Sequence, residues 1–176
     1  VEPTEDGGIF DADVNWRAFM EKSQEVASQK SENGDSTYPF VLVCDISDFY
    51  SRIYHHRLEN ALKWLKTKSE TVKRIVDILQ VFSGTVSYGL PVGGPASRLL
   101  AELALNSVDK LLRGEGIRYC RFVDDYRIFC ASKEEAYQRL IFLSEKLFNE
   151  GLSLQKNKTR ILTSKEFLDE VKLLVK

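Results

Sequence analysis

The sequence predicts an α+β domain, a central antiparallel sheet with helices packed on one face. Three observations predict it. The chain has 176 residues, 43% hydrophobic and 29% charged, which suits one globular domain with a sizeable core. Short β-rich apolar runs at 40–44, 117–123, 126–131 and 159–163 are bounded by turn residues. The longer segments between them carry apolar residues at helical spacing. The resulting order is strand, helices, helix, hairpin, helix, strand.

Each element has its own signal. Residues 1–11 are polar, contain Gly7-Gly8 and read as a loose end. Val14, Phe19, Val26 and Ala27 predict a helix within 11–30, with Asp11 or Asp13 as its N-cap. Residues 31–37 (SENGDST) form a turn-rich linker. Phe40-Val41-Leu42-Val43-Cys44 is continuously apolar, as in a strand buried on both faces, and it ends on Asp45. Residues 57–66 and 70–82 are amphipathic helices, with His55 and His56 exposed at a helix start. Residues 83–95 hold four glycines and two prolines and form a loop. Residues 96–113, rich in Leu and Ala, form a largely buried helix. The runs 117–123 and 126–131 are separated only by Asp124-Asp125, which signals a tight hairpin. Residues 133–149 are an amphipathic helix stopped by Gly151. A short strand over 159–163 and a helix from 164 complete the chain.

Several classes are excluded or disfavoured. No apolar run approaches the roughly 18 residues of a membrane span. The first 13 residues are acidic, unlike a secretory leader. Cys44, Cys120 and Cys130 are odd in number and lack CxxC spacing, so neither a disulfide scaffold nor a zinc site is expected. Reduced thiols in strands predict a cytoplasmic chain. Residues 1–40 carry nine acids and three bases, whereas 41–176 carry seventeen acids and twenty-two bases. A modestly basic body behind an acidic arm permits a polyanionic partner without requiring one.

Asp45 ends a buried strand, and Asp124 and Asp125 sit at a hairpin tip. A lone buried charge is costly and adjacent carboxylates repel. A divalent cation relieves both problems, and hard carboxylate oxygens suit Mg²⁺. On spacing alone, a solvated acidic turn with an ordinary strand-end aspartate explains the pattern equally well.

The flanking residues tip the balance. Cys44-Asp45-Ile46-Ser47-Asp48-Phe49-Tyr50, Gly89-Leu90-Pro91-Val92-Gly93-Gly94-Pro95-Ala96-Ser97, Phe122-Val123-Asp124-Asp125, and Gly151-Leu152-Ser153-Leu154 with Lys158-Thr159 occur in that order. Together they resemble four motifs of the reverse transcriptase palm, in the bacterial branch of group II intron, retron and abortive-infection enzymes. The resemblance runs from about residue 40 to 162 and implies a ferredoxin-like polymerase palm. It divides the chain into an acidic arm with a helix and linker at 1–39, the palm at 40–163 and a C-terminal helix at 164–176 leading toward a thumb.

The resemblance also implies an activity: two-metal nucleotidyl transfer from dNTP to a primer 3′-hydroxyl on an RNA template. Asp45, Asp124 and Asp125, with the Ile46 carbonyl, would hold two Mg²⁺, replaceable by Mn²⁺. Tyr50 matches a steric gate against a 2′-hydroxyl. Pro91, Val92, Gly93 and Gly94 match the nucleotide-binding loop, where glycines permit close backbone approach. Lys158 matches a candidate acid or phosphate contact. Arg118, Arg121 and Arg127 flank the Asp124-Asp125 turn, and alternation puts Arg121 opposite Phe122, so these arginines are candidates for a nucleic-acid backbone. Val92 stands where many members have Gln, and Arg98 where many have Pro. That altered loop agrees with the defence branch, in which some members make DNA without a template.

The fingers and thumb that grip triphosphate and duplex are not matched, and the chain starts at Val1. A palm fragment that folds alone but does not polymerise alone is expected. Three other readings stay open: an untemplated polymerase, an idle palm serving as a structural or nucleic-acid-binding module, and a nucleotidyl cyclase. The hairpin's Val-Asp-Asp-Tyr departs from the cyclase Gly-Gly-acid-Glu-Phe turn.

Overall fold

The computed structural model describes residue 13 and residues 15–174. Its elements run α1 (Trp16–Ala27), β1 (Phe40–Asp45), α2 (Phe49–Arg52), α3 (His55–Trp64), α4 (Ser69–Ser83), α5 (Pro95–Gly114), β2 (Tyr119–Phe122), β3 (Asp125–Cys130), α6 (Lys133–Asn149), a 3-10 turn (Lys156–Lys158), β4 (Arg160–Thr163) and α7 (Ser164–Leu174). The strands form one sheet in the order β2-β3-β1-β4, antiparallel throughout.

β1 is central in the sheet and is covered on both faces, which is why residues 40–44 are apolar without alternation. Leu42 and Cys44 face one layer, with Tyr126, Ile128 and Cys130 of β3. Leu58 of α3, Leu79 of α4, Leu105, Val108 and Leu112 of α5, and Leu143 and Leu147 of α6 cover that layer. Each fully buried Leu contributes about 1.5–3 kcal/mol relative to exposure. Val41, Val43 and Phe129 point the other way, against Phe19, Met20, Val26 and Ala27 of α1 and Phe167 and Val171 of α7. The expected α+β class and helical layer are present. A second layer, α1 with α7, adds cover on the opposite face. α1 therefore packs on the sheet, although the sequence assigns it to an arm.

The caps show why helices begin where they do. The Asn15 side chain accepts from the Ala18 N–H at 3.0 Å, so Asn15 is the N-cap of α1 in place of Asp13. Asp11 and Val14 lie outside the described residues. Ser132 accepts from the Glu135 N–H at 3.0 Å to start α6. Thr163 and Glu166 bond reciprocally at the start of α7, in the T-x-x-E pattern of a capping box. Gly151, φ +79°, follows α6 as expected.

Three local expectations are corrected. α5 is not largely buried: its inner face is, but Leu99 and Leu111 are exposed on the outer face. The hairpin turn is Val123-Asp124, not Asp124-Asp125. Asp125 pairs with Phe122 on one side and Asp45 on the other, which holds it extended within β3, and Val123 takes the positive φ of +56°. His55 is buried at 2% exposure, whereas His56 is exposed as expected.

Candidate active site

Three segments meet at one end of the sheet. Asp45, the last residue of β1, lies directly across from Asp125. The Ile46 N–H donates to the Asp124 carbonyl at 3.2 Å. The Gln155 N–H donates to the Asp45 carbonyl at 2.7 Å, and the Ser47 N–H donates to the Ser153 carbonyl at 2.8 Å. Asp45, Asp124 and Asp125 thus converge, with the 151–158 segment stitched beside them. Ile46 is buried at the same point.

Like charges directly opposite on a sheet destabilise it, and nearby bases offset this one. Lys158 Nζ donates to Asp45 Oδ2 at 2.9 Å, and its own pKa is raised chiefly by that hydrogen bond. Arg127 Nη1 lies 3.4 Å from Asp125 Oδ1. Burial pushes the Asp124 carboxyl up; a backbone hydrogen bond opposes this and the Asp45 and Asp125 charges add to it. Burial also pushes Asp125 up, with Arg127 opposing and Asp45 adding. These are partly desolvated acids that need positive charge.

Among the described residues, no three His, Cys, Asp or Glu side chains form a group that could hold a metal ion as it stands. Two of the acids instead meet bases: Lys158 holds one Asp45 oxygen and Arg127 one Asp125 oxygen. The donor set suits a hard cation in kind, being all carboxylate oxygen. Lys158 is the cation that Asp45 already has at Oδ2.

Tyr50 packs edge-on to Phe49 at 5.5 Å between centroids. Burial raises its phenol pKa, Arg98 lowers it, and Asp124 and Glu102 raise it further, so the ring stands within electrostatic reach of the acids. The Leu90 N–H donates to the Tyr50 carbonyl at 2.8 Å and the Gly89 N–H to Ile53 at 2.9 Å. These bonds fix the start of the following loop to the segment that carries Tyr50. Pro91 is half-buried and Val92, Gly93 and Gly94 are exposed. Gly93 has φ +98° with open space where a Cβ would stand, so its backbone conformation demands glycine and close packing does not.

The arginines divide. Arg118 is exposed. Arg121 faces away from Phe122 as alternation requires, but it meets protein there. Its guanidinium bonds Asp109 at 2.6 Å, Glu102 at 2.7 Å and the Val123 carbonyl at 2.8 Å. Arg127 is buried over the Phe19 ring, 5.3 Å from its centroid. Arg121 and Arg127 are therefore not presented to a nucleic-acid backbone. Sequence reasoning missed Asp109, a buried acid that also accepts from Tyr126 Oη at 3.4 Å. Its signal was an acid between Leu105 and Leu112 on an apolar helix face, which calls for a base.

No helix among the described residues is long and apolar enough to cross a membrane. No curated protein matches the chain closely enough to count as a relative. The family model described as reverse transcriptase (RNA-dependent DNA polymerase) matches residues 12–171, which span the whole sheet and the helices on both of its faces. The chain belongs to the reverse transcriptase family, the RNA-dependent DNA polymerases.

Proposed function

We propose that the chain is the catalytic palm of an RNA-directed DNA polymerase, adding dNTP to a primer 3′-hydroxyl. The observation that carries this reading is the convergence of Asp45, Asp124 and Asp125 at one sheet end, two of them with raised pKa. In this reading the three carboxylates and the Ile46 carbonyl hold two Mg²⁺ or Mn²⁺. The metals, when bound, activate the 3′-hydroxyl and neutralise the triphosphate.

The chain's own residues do the rest. Asp125, held extended by Phe122 and Asp45, keeps its carboxylate beside that of Asp45. Lys158, freed from Asp45, supplies charge or a proton to the leaving pyrophosphate. Tyr50 lies beneath the incoming sugar and leaves no room for a 2′-hydroxyl. Pro91 to Gly94 form the floor for the nucleotide, and exposed Arg118 meets the nucleic-acid backbone. Val92 and Arg98 support membership of the bacterial defence branch, and the three free cysteines support a reducing, cytoplasmic setting.

The test is extension of a DNA primer on an RNA template by the full-length protein, with Mg²⁺ and either dNTP or rNTP. Extension with dNTP is expected. It falls at least about a thousandfold in an Asp124→Ala, Asp125→Ala variant, since charge neutralisation carries most of phosphoryl-transfer catalysis. Tyr50→Val should raise rNTP use relative to dNTP. Extension that survives loss of both acids contradicts the reading.

A further inference from the structure

We propose that His55 is a positioning residue for the nucleotide, acting through the 89–94 loop; this rests on the polymerase reading above. Its Nε2 lies 2.8 Å from the Gly89 carbonyl oxygen. A carbonyl only accepts, so Nε2 carries the hydrogen and the neutral ring is the Nε2–H tautomer. Nδ1 is then buried with no hydrogen-bond partner. An unpartnered buried nitrogen is a cost, and a Leu at this position would fill space without it. The ring's one bond is what the fold gains in return.

That bond lands where the loop is set. The backbone N–H of His55 also donates to the Ser87 carbonyl at 3.0 Å, and Tyr54 bridges to Tyr88. Gly89, at φ +102°, donates to Ile53, and Leu90 donates to Tyr50. With His55, residues 50–55 hold residues 87–90 by both main chain and side chain. Three and four residues past Leu90 are Gly93 and Gly94, and Tyr50 is the residue whose carbonyl Leu90 bonds. The His55 ring thus fastens the start of the loop proposed to carry the nucleotide, beside the Leu90 N–H that fastens it to the residue proposed to gate its sugar. The ring is buried, at 2% exposure.

The experiment compares His55→Ala and His55→Gln with the parent full-length protein. The Gln amide can donate to the same carbonyl; Ala cannot. Two measurements are made: steady-state dNTP incorporation, and hydrogen exchange at the Gly89 and Leu90 amides. The expected result is a rise of about tenfold in KM for dNTP in His55→Ala, with kcat changed less than about threefold. One lost hydrogen bond has about that size. His55→Gln should stay within about threefold of the parent, and exchange at Gly89 and Leu90 should quicken in His55→Ala while β1 and β3 amides stay protected. Unchanged KM in His55→Ala, or a His55→Gln variant as impaired as His55→Ala, overturns the proposal. A parent protein that incorporates no dNTP overturns the polymerase reading and the nucleotide role with it. The exchange data then report separately whether His55 holds the loop, and unchanged exchange refutes that step by itself.

Discussion

Arg121 carries its charge into the domain, and Arg118 carries its charge out. Arg121 lies on β2 and Arg118 just before it, but Arg121 fills the space between Asp109 and Glu102. Desolvation lowers its pKa, and the bonds to Asp109 more than reverse this, so the guanidinium stays charged. Arg121→Ala leaves Asp109 buried without its main partner and should cost about 3–5 kcal/mol in urea denaturation. Arg118→Ala should shift stability by less than about 0.5 kcal/mol and weaken nucleic-acid binding instead. Equal stability losses would contradict this division. Strand alternation gave the side on which Arg121 lies, but not what waits there. Its partner Asp109 lies on another element, twelve residues earlier. The same limit hid His55, whose acceptor is 34 residues away. Asp45, Asp124 and Asp125 were legible because each lies in a segment that resembles a polymerase motif; their local pattern alone fits a solvated acidic turn equally well.

At the scale of elements, the joints are more demanding than the spans. Helix 133–149 was legible to the residue because its period and caps agree. The turn was misread by one residue, because pairing of Asp125 with two strands outweighs its turn preference. Gly151 is fixed twice, by φ +79° and by the Tyr54 ring lying where a Cβ would go. Gly151→Ala should therefore lose more than the roughly 1–2 kcal/mol of a left-handed backbone. In a Tyr54→Ala background its cost should shrink, as a double-mutant cycle in urea reads directly. Additive losses would remove Tyr54 from the explanation. α7 offers a pH test. Hydrogen bonds from the Thr163 side chain, and then its N–H, hold the Glu166 carboxyl below its ordinary value of 4.5. A depressed folded pKa adds stability that is complete above about pH 4.5 and lost as pH falls through the folded value. Amides in the first turn of α7 should exchange faster in acid, relative to intrinsic rates, and Glu166→Gln should flatten that dependence. A wild-type α7 with no such acid loosening would contradict the cap.

For the whole molecule, the two helical layers hold a central strand whose end is charged. Layers α3 to α6 and α1 with α7 bury both faces of β1, so Asp45 is delivered on a rigid strand and not on a loop. The first layer was legible from the period of 96–113 and 133–149. The second was not, because a helix period identifies an apolar face but not the sheet face it meets. The site is then a partly desolvated patch of acids balanced by Lys158 and Arg127, and the proposed function requires it to take a divalent cation as well. The most direct measurement of that claim is iron-directed cleavage. Fe²⁺ replaces Mg²⁺ in the protein with dNTP present, ascorbate and peroxide are added, and the cut sites are mapped by mass spectrometry. Cuts are expected near residue 45 and near residues 124–125 together, suppressed by excess Mg²⁺ and absent in the Asp124→Ala, Asp125→Ala variant. Cuts elsewhere, or cuts at these segments that persist without the two acids, would contradict it.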